Sequence, residues 1–226
     1  DNLCICMSGG KDSMIMAKLF QELKRHNKFP FTIQFLCMDP GYNEYNRKII
    51  EENAKLLGIP LQFFESDIFA SVFEIESSPC YVCARMRRGH LYSKAKELGC
   101  NKIALGHHFD DVIETTLINM LYAGTVKTMT PKVSSTSGKL ELIRPLIYVK
   151  EADIIDYTKT NGIRAMNCGC TIEAGKTSSK RREVKNLLAE LEEKSPGVKQ
   201  SVFNSMRNIN LDYVFGYTGG NVNKDK

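Results

Sequence analysis

The sequence has no apolar run that approaches the roughly 20 residues needed to span a membrane. It also lacks a charged-then-apolar secretory leader, an internal repeat and a flexible linker. We therefore expect a cytoplasmic protein with no membrane association. With 226 residues, of which 42% are hydrophobic and 25% charged, the chain can bury one full core. The first predicted strand starts within two residues of the chain's beginning, which is unusual for a native start, so we expect a missing N-terminal segment.

The chain has many cysteines but shows no secretion signal. Disulfides alone therefore do not explain their number. Eight cysteines in such a chain favour metal ligands or reactive thiols. Four lie in apolar, strand-like runs or at a helix end and are expected to serve packing: Cys4, Cys6, Cys37 and Cys100. The other four fall in polar, turn-rich stretches and are candidates for chemistry: Cys80, Cys83, Cys168 and Cys170.

A phosphate-binding loop is predicted near the start of the chain. An apolar run at residues 3–7 predicts a strand buried on both faces, and residues 13–24 have the apolar spacing of a helix. The glycine pair between them lets main-chain N–H groups approach an anion, and the helix N-terminus favours a phosphate. We predict that this loop binds the phosphates of a nucleotide: Ser8, Gly9, Gly10, Lys11, Asp12 and Ser13.

The loop does not have Walker A spacing, which would place glycines five residues apart before a Lys-Ser/Thr pair. Residues 175–177, Gly-Lys-Thr, end like a Walker A motif. Cys170 stands where its first glycine should be, and no apolar strand precedes it, so we discount that segment. An ordinary strand-to-helix turn remains the alternative for residues 8–13.

Alternating strand and helix patterns predict an α/β fold with a doubly wound, parallel, five-stranded sheet. The expected strands lie at residues 2–7, 31–38, 60–64, 101–105 and about 140–146. Helices are expected between them at residues 13–24, 43–57, 84–98 and 112–122, and beyond them at 151–161, 184–193 and 201–209. We divide the chain into a nucleotide-binding domain at 1–165, a cysteine-containing helical extension packed on the same core at 166–215, and a disordered tail at 216–226.

Polar residues follow two further strands at the same edge of this predicted sheet. Met38 and Asp39 end the second strand, and residues 106–111, Gly-His-His-Phe-Asp-Asp, follow the fourth. Ligands of open α/β sheets bind at the carboxyl ends of the strands, so we expect these residues to share one cleft with the phosphate loop. Two alternatives stay open: Asp39 as a turn carboxylate before proline, and Asp110 or Asp111 as a helix N-cap beside exposed histidines.

Two clusters of basic residues precede or open predicted helices. Positive charge is unfavourable at a helix N-terminus, so phosphates or a thiolate-bound cluster would explain their position. The clusters are Arg85, Arg87, Arg88 and Lys180, Arg181, Arg182. A solvated charged surface is the alternative.

Several motifs together resemble one family of enzymes. They are Ser-Gly-Gly-Lys-Asp-Ser at 8–13, Cys-x-x-Cys at 80–83, Gly-His-His-x-Asp-Asp-x-x-Glu-Thr at 106–115, Arg-Pro-Leu at 144–146 and the cysteines near 168. The first matches the N-type ATP pyrophosphatases, or PP-loop enzymes, and the set resembles their tRNA 2-thiocytidine synthetase (TtcA) family. The resemblance implies a PP-loop fold and an enzyme that adenylates the C2 oxygen of a tRNA cytidine with ATP, releases pyrophosphate and inserts sulfur.

The resemblance also implies roles for individual residues. Asp12 would hold Mg²⁺ and phosphates, and Asp110 or Asp111 would lie beside ATP and the base. The expected nucleotide contacts beyond the loop are Met38, Asp39, Gly106, His107 and Asp111. Both basic clusters would contact tRNA phosphates. The sulfur donor would be a cysteine desulfurase or inorganic sulfide, and a homodimer is compatible with the sequence.

A [4Fe-4S] cluster held by three cysteines is the remaining expected cofactor. By resemblance Cys80 and Cys83 are two ligands, but the family's Pro-Cys-x-x-Cys-Gly is replaced here by Asn-Cys-Gly-Cys at 167–170. We predict Cys168 as the third ligand, because it is closer to a strand predicted at residues 163–166, and Cys170 as a thiol that relays sulfur. Three alternatives remain: a 2-thiouridine synthetase of the TtuA type, a PP-loop ligase with a four-cysteine zinc site, and a nucleotide sensor without enzymatic activity.

Overall fold

The structure is a computed structural model that describes residues 1–66, 68, 79–134, 140–164, 166 and 179–217. At residues 79–81 and 179 it describes the backbone alone. Cys168, Cys170 and the end of the predicted tail lie outside the described residues. In the described part of the chain, no helix combines the length and the apolar character needed to cross a membrane.

A six-stranded sheet forms the centre of the molecule, with the strand order β3-β2-β1-β4-β6-β5. The strands are β1 (Asn2–Met7), β2 (Thr32–Asp39), β3 (Leu61–Glu65), β4 (Lys102–Ala104), β5 (Lys132–Ser134) and β6 (Glu141–Ile143). All neighbouring pairs are parallel except β5 with β6, which is antiparallel. The five predicted parallel strands are confirmed. The count of five is wrong by one: β5 is an exposed edge strand of three residues, too short to show an alternating apolar pattern.

Seven helices accompany the sheet in the described residues. They are α1 (Lys11–His26), α2 (Glu44–Leu57), α3 (Pro79–Glu97), α4 (Phe109–Ala123), α5 (Glu151–Thr160), α6 (Ser179–Lys194) and α7 (Val198–Ser205). Helix α3 starts five residues earlier than predicted, so the Cys-x-x-Cys motif lies in its first turns and not in a preceding turn. Proline is favoured at the first helical position, and Pro79 was the missed signal.

The strand predicted at residues 163–166 is wrong. Ile163, Arg164 and Met166 lie in irregular backbone. The Arg164 N–H donates to Asn53 Oδ1 at 3.1 Å, and Asn53 Nδ2 donates to the Arg164 carbonyl at 2.6 Å. A side chain of α2 therefore supplies the hydrogen bonds that a neighbouring strand would have supplied.

Both faces of the sheet are covered, which confirms the doubly wound fold. Leu3, Ile5 and Met7 of β1 face a core shared with α1, α2 and α5. The alternate residues Cys4 and Cys6 face the opposite side, towards α3. The packing role predicted for four cysteines is confirmed, because all of these are buried: Cys4, Cys6, Cys37 and Cys100.

Helices α6 and α7 pack on α4 through a separate apolar cluster. Phe109 and Ile113 of α4 contact Val184 and Leu188 of α6 and Phe203 of α7 within this cluster. The rings of Phe109 and Phe203 stack with centroids 4.8 Å apart. These contacts place α6 beside the helix that follows the predicted His-His-x-Asp-Asp turn.

Candidate functional site

The phosphate loop is folded around the hydroxyl of Ser13. The Ser8 N–H donates to Ser13 Oγ at 3.1 Å, and Ser13 Oγ donates to the Gly10 carbonyl at 2.8 Å. Gly10 is the N-cap of α1 and provides no capping side chain. The first N–H groups of this helix therefore keep the capacity to bind an anion.

Two glycines allow this loop to be packed closely. Gly9 has φ +80°, and a Cβ there would lie 2.7 Å from Ile50 Cγ1. A Cβ on Gly106, which follows β4, would lie 3.1 Å from the backbone N of Ser13. The turn after β4 thus rests directly against the phosphate loop, as the shared edge of the sheet predicts.

Asp12 places a carboxylate oxygen in the loop without a hydrogen bond. Its Oδ1 atom is buried and accepts none in the described part of the chain. Lys11 Nζ lies 3.2 Å away and His108 Nε2 3.8 Å away. A buried anionic oxygen of this kind, at an anion-binding loop, fits a divalent cation with oxygen ligands.

Lys11 is held by a residue that sequence analysis missed. Its Nζ atom lies 3.0 Å from Oε1 of Glu151, and Lys185 Nζ lies 2.7 Å from the other oxygen of that carboxylate. Burial opposes ionisation of Glu151, but hydrogen bonds from Lys185 and Lys11 outweigh it and lower its pKa to about 2. In sequence, Glu151 looks like any acidic residue in the first turn of a helix, and no local signal identifies its partner 140 positions away.

The turn before α4 is built differently from the alternative considered above. His108, and neither aspartate, is the N-cap: its N–H donates to Asp111 Oδ2 at 3.0 Å, and the Asp111 N–H donates to His108 Nδ1 at 3.4 Å. This reciprocal pair is a capping box with histidine in place of serine. His108 is 5% exposed, so the alternative with exposed histidines does not hold for it.

The two adjacent aspartates point to different partners. Asp110 accepts from the Glu151 N–H at 2.8 Å and lies 3.3 Å from Lys199 Nζ, so it joins α4 to α5 and α7. Asp111 lies 3.0 Å from Arg181 Nη1 of α6. The structure thus places Asp111 and Asp12 on either side of His108, while Asp110 is engaged by structural partners.

Asp39 is the turn carboxylate that the alternative interpretation described. Its Oδ1 atom accepts from the N–H groups of Gly41 at 2.9 Å and Tyr42 at 2.7 Å, and its Oδ2 atom pairs with Arg47 at 3.1 Å. The neighbouring Met38 lines the cleft described next. Any contact between Asp39 and a nucleotide stays a prediction.

A cleft of about 590 Å³ lies along the carboxyl edge of the sheet, between the phosphate loop and α3. It brings together seven of the predicted site residues: Ser8, Ser13, Met38, Arg87, Arg88, Gly106 and His107. At one side of the cleft, Arg87 donates a hydrogen bond to the Tyr42 hydroxyl at 3.0 Å. This volume is in the range of cofactor and ligand sites.

The basic residues separate into two environments. Arg87 and Arg88 line the cleft, whereas Arg85 is exposed outside it. On α6, Arg181 contacts Asp111 and also lies 3.5 Å from the buried carboxylate of Glu114, whose pKa is raised by burial against the pull of Arg181. The exposed neighbours of Arg181 are Arg182 and Lys180, whose Nζ atom lies 4.6 Å from the ring centre of Tyr122.

The predicted cluster ligands are described only in part. Cys83 is half-buried and packs beside Met38 and Ile68, next to the cleft. Cys80 lies one turn earlier in α3, with only its backbone described, and Cys168 and Cys170 lie outside the described residues. Among side chains that the structure does describe, no group of three or more His, Cys, Asp or Glu could hold a metal ion.

The fold and the loop define the class of protein. A glycine-paired loop between the central strand and α1, facing a second polar turn after β4, is the nucleotide site of a PP-loop domain, and the model of the PP-loop domain family matches residues 1–167. The U34-tRNA thiolase NcsA from Methanococcus maripaludis, solved with its [4Fe-4S] cluster, has a similar fold. The two structures superpose with a TM-score of 0.74, and their sequences are 22% identical. The match covers 96% of this chain and 74% of the NcsA chain.

Two curated relatives are more similar in sequence. The tRNA-cytidine(32) 2-sulfurtransferase of Pelobacter propionicus is 37% identical over 212 residues, covering 92% of this chain and 78% of the relative. The enzyme of the same name from Geobacter sulfurreducens is 35% identical over 217 residues, covering 95% and 84%. The chain belongs to the tRNA-cytidine(32) 2-sulfurtransferase family of PP-loop enzymes.

Proposed function

We propose that the protein uses ATP to adenylate the C2 oxygen of a cytidine in the anticodon loop of tRNA and then replaces that oxygen with sulfur. The observation that carries the proposal is the phosphate loop, which combines the uncapped N-terminus of α1 with the buried Asp12 Oδ1 atom. Relatives that are 35% and 37% identical and are named for sulfur transfer to tRNA cytidine support it.

In the first step, the C2 oxygen attacks the α-phosphorus of ATP, and pyrophosphate leaves with the electron pair of the broken P–O bond. The N–H groups at the start of α1 and the ammonium of Lys11 stabilise negative charge on the phosphates. Sulfide then attacks C2, and AMP leaves with the original oxygen. The two steps consume one ATP and one sulfide per base and involve no net oxidation or reduction.

Two groups would assist these steps. When bound at Asp12, Mg²⁺ would neutralise phosphate charge, and a [4Fe-4S] cluster on Cys80, Cys83 and Cys168 would supply an iron coordination position for sulfide. Cys80 and Cys83 are three residues apart on α3, and residues at this spacing lie on one side of a helix. If the donor is a cysteine desulfurase, the Cys170 thiolate would attack the outer sulfur of the donor's persulfide and the donor's thiolate would leave; a thiol reductant would then supply two electrons and release that sulfur as sulfide. If the donor is inorganic sulfide, it would enter directly, without passing through Cys170.

The tRNA backbone would contact the exposed basic residues around the cleft. Arg85 lies in the second turn of α3, and Lys180 and Arg182 lie in the first turn of α6, so the two groups are presented by helices that flank the site. Arg87 and Arg88 lie inside the cleft and would meet the nucleotide that enters it. Anticodon-loop bases are single-stranded and are reached by splaying them out of the stack.

The test is anaerobic incubation with ATP, tRNA and sulfide, with measurement of pyrophosphate and of 2-thiocytidine by nucleoside mass spectrometry. Asp12→Asn should lower both products at least about 100-fold, because the charge on the buried oxygen is lost. Asp156→Asn, an exposed carboxylate on α5, is the matched control and should change neither product. Accumulation of ADP and phosphate in place of AMP and pyrophosphate would refute the proposal.

The cluster is tested separately by its iron content and colour after anaerobic purification. Cys80→Ser, Cys83→Ser and Cys168→Ser should each lose iron, whereas Cys170→Ser should keep it, lose sulfur transfer from a cysteine desulfurase and retain sulfur transfer from inorganic sulfide. Equal iron loss in both variants of the 168 and 170 pair would contradict the three-cysteine arrangement. If the purified wild-type protein is colourless and contains zinc, the iron–sulfur proposal is refuted and the cysteines hold a structural metal.

A further inference from the structure

The cleft extends beyond the phosphate loop to strand β6. Its far end is lined by His107, which follows β4, and by Arg144, which follows β6. These strands are adjacent and parallel, with Ala104 paired to Ile143, so both side chains emerge at the same edge of the sheet.

Two buried polar atoms at this end have no partner in the described part of the chain. They are Nδ1 of His107 and Nε of Arg144. Leaving such atoms unpaired is unfavourable, because they have lost their hydrogen bonds to water without gaining others. Arg144 is nevertheless held in place, because its Nη1 atom donates to the Thr130 carbonyl at 2.6 Å. A fixed guanidinium that lines a cavity and keeps a buried, unpaired Nε–H is typical of a ligand contact.

The two atoms have opposite hydrogen-bonding capacity. Nε–H of arginine only donates, whereas a neutral imidazole carries one nitrogen that accepts. Burial lowers the pKa of His107 against the opposing pull of Asp111, which favours the neutral ring. The far end of the cleft is therefore lined by one residue that can donate and one that can accept.

A cytosine ring presents the complementary pair. Its N3 atom accepts and its N4 amino group donates, and using this edge leaves the C2 oxygen open to attack the α-phosphate. Uracil has the reverse pattern, because N3–H donates and O4 accepts. Tyr92, Met129 and Leu142 line the same end and provide apolar surface for the ring.

We propose that Arg144 and His107 form the subsite that holds the target cytosine, with Arg144 Nε–H donating to N3 and His107 Nδ1 accepting from the N4 amino group. The proposal rests on the proposed function and adds the residues that select the base. It assigns the phosphate-loop end of the cleft to ATP and the β6 end to the pyrimidine, so His107, expected from the sequence to contact the nucleotide cofactor, is assigned to the base instead.

The experiment compares two otherwise identical tRNA transcripts, one with cytidine and one with uridine at the target position. Binding, pyrophosphate release and the thiolated nucleoside are measured for each. The wild type should prefer the cytidine transcript. His107→Phe and Arg144→Met should lower kcat/KM for it by about 10–100-fold and bring the cytidine-to-uridine ratio towards one, because each removes a hydrogen bond that distinguishes the bases.

Conservative and remote variants complete the design. His107→Gln and Arg144→Lys keep an acceptor and a donor and should retain most of the preference. ATP affinity should stay within twofold of wild type in all four variants. His26→Phe and Arg25→Met, exposed residues at the end of α1, are matched controls with wild-type ratios expected.

A reduced rate with an unchanged cytidine-to-uridine ratio would overturn the proposal, because the two residues would then shape the cleft without selecting the base. A wild type that binds both transcripts but thiolates neither would refute the proposed function. In that case the ratio of binding affinities, measured in the same variants, still decides the subsite.

Discussion

Glu151 shows how a single carboxylate can connect the phosphate loop to the C-terminal helices. It contacts Lys11 of the loop and Lys185 of α6, and its side chain is 18% exposed. The two lysines keep it ionised, and its presence holds Lys11 beside Asp12. We infer that Glu151 positions Lys11 for the phosphates and does not itself contact the substrate.

At the residue scale, we predict that Glu151→Gln lowers the stability of the folded protein in a pH-dependent way. Because the folded pKa of Glu151 is depressed from 4.5 to about 2, its contribution is complete above pH 4.5 and is lost as the pH falls towards 2. A depression of this size corresponds to about 3 kcal/mol. Urea unfolding at pH 7 and at pH 3 should show a smaller difference between wild type and variant at the lower pH. A difference that does not depend on pH would contradict the assignment.

A second residue-scale prediction concerns three glycines. Gly9→Ala should destabilise the protein by about 1–3 kcal/mol, because φ is positive and the new Cβ would meet Ile50. Gly106→Ala should affect ATP use more than stability, because its Cβ would press on the backbone of the phosphate loop and displace it. Chemical denaturation and the KM for ATP distinguish the two effects.

Gly89 is the matched control for these substitutions. It lies within α3, and a Cβ there would meet nothing within 4 Å. Gly89→Ala should therefore stabilise the protein by about 0.5–1 kcal/mol. Equal effects at all three glycines would show that the packing around the loop is not the cause.

At the scale of elements, α6 carries basic residues that serve two purposes. Arg181 pairs with Asp111 and Glu114 although its side chain is 46% exposed, whereas its neighbours Lys180 and Arg182 do not contact these carboxylates. An α-helix has 3.6 residues per turn, so three consecutive side chains point in different directions around the helix axis. Charge clustering in the sequence therefore identified the segment but not the function of each member.

We predict that Arg182→Gln weakens tRNA binding and lowers the slope of log affinity against log salt by about 0.7–0.9, because one phosphate contact is lost. ATP affinity should not change. Arg181→Gln should instead impair pyrophosphate release, because Asp111 loses its guanidinium partner. Filter binding over a salt series and a pyrophosphate assay separate the two variants. Identical behaviour would indicate that both residues contact tRNA.

At the scale of the whole molecule, the apolar cluster of α4, α6 and α7 joins the C-terminal helices to the nucleotide-binding part. Leu188 is 2% exposed within it. The division into a domain at 1–165 and an extension at 166–215 stays a prediction. The contacts with α4 nevertheless lead us to expect one cooperative unfolding transition for both parts.

Leu188→Ala should lower the free energy of unfolding by about 2–5 kcal/mol and shift the whole transition. Leu187→Ala, on the same helix but 38% exposed, is the control and should cost less than about 1 kcal/mol. Near-UV circular dichroism follows tertiary packing around the aromatic rings and far-UV circular dichroism follows backbone structure, and the two should change together in a single transition. Two separate transitions in Leu188→Ala would show that the extension folds independently.

The sequence by itself determined the five parallel strands, the phosphate loop and the position of the turn after β4. Each rests on local physics: an apolar run long enough to be buried, a glycine pair beside a helix start, and the chain order that brings strand ends to one edge. It could not determine β5, whose three exposed residues carry no periodic signal. The earlier start of α3 did have a local signal in Pro79, which the prediction did not use.

Only the tertiary structure decided which partner each polar side chain contacts. Asp110 and Asp111 are adjacent and chemically identical, yet one binds the start of α5 and the other binds Arg181. Glu151 reaches Lys11 across 140 positions, and His107 meets the same cavity as Arg144 because β4 and β6 are neighbours. Such pairings depend on packing between elements distant in sequence, and local patterns of hydrophobicity and charge contain no information about them.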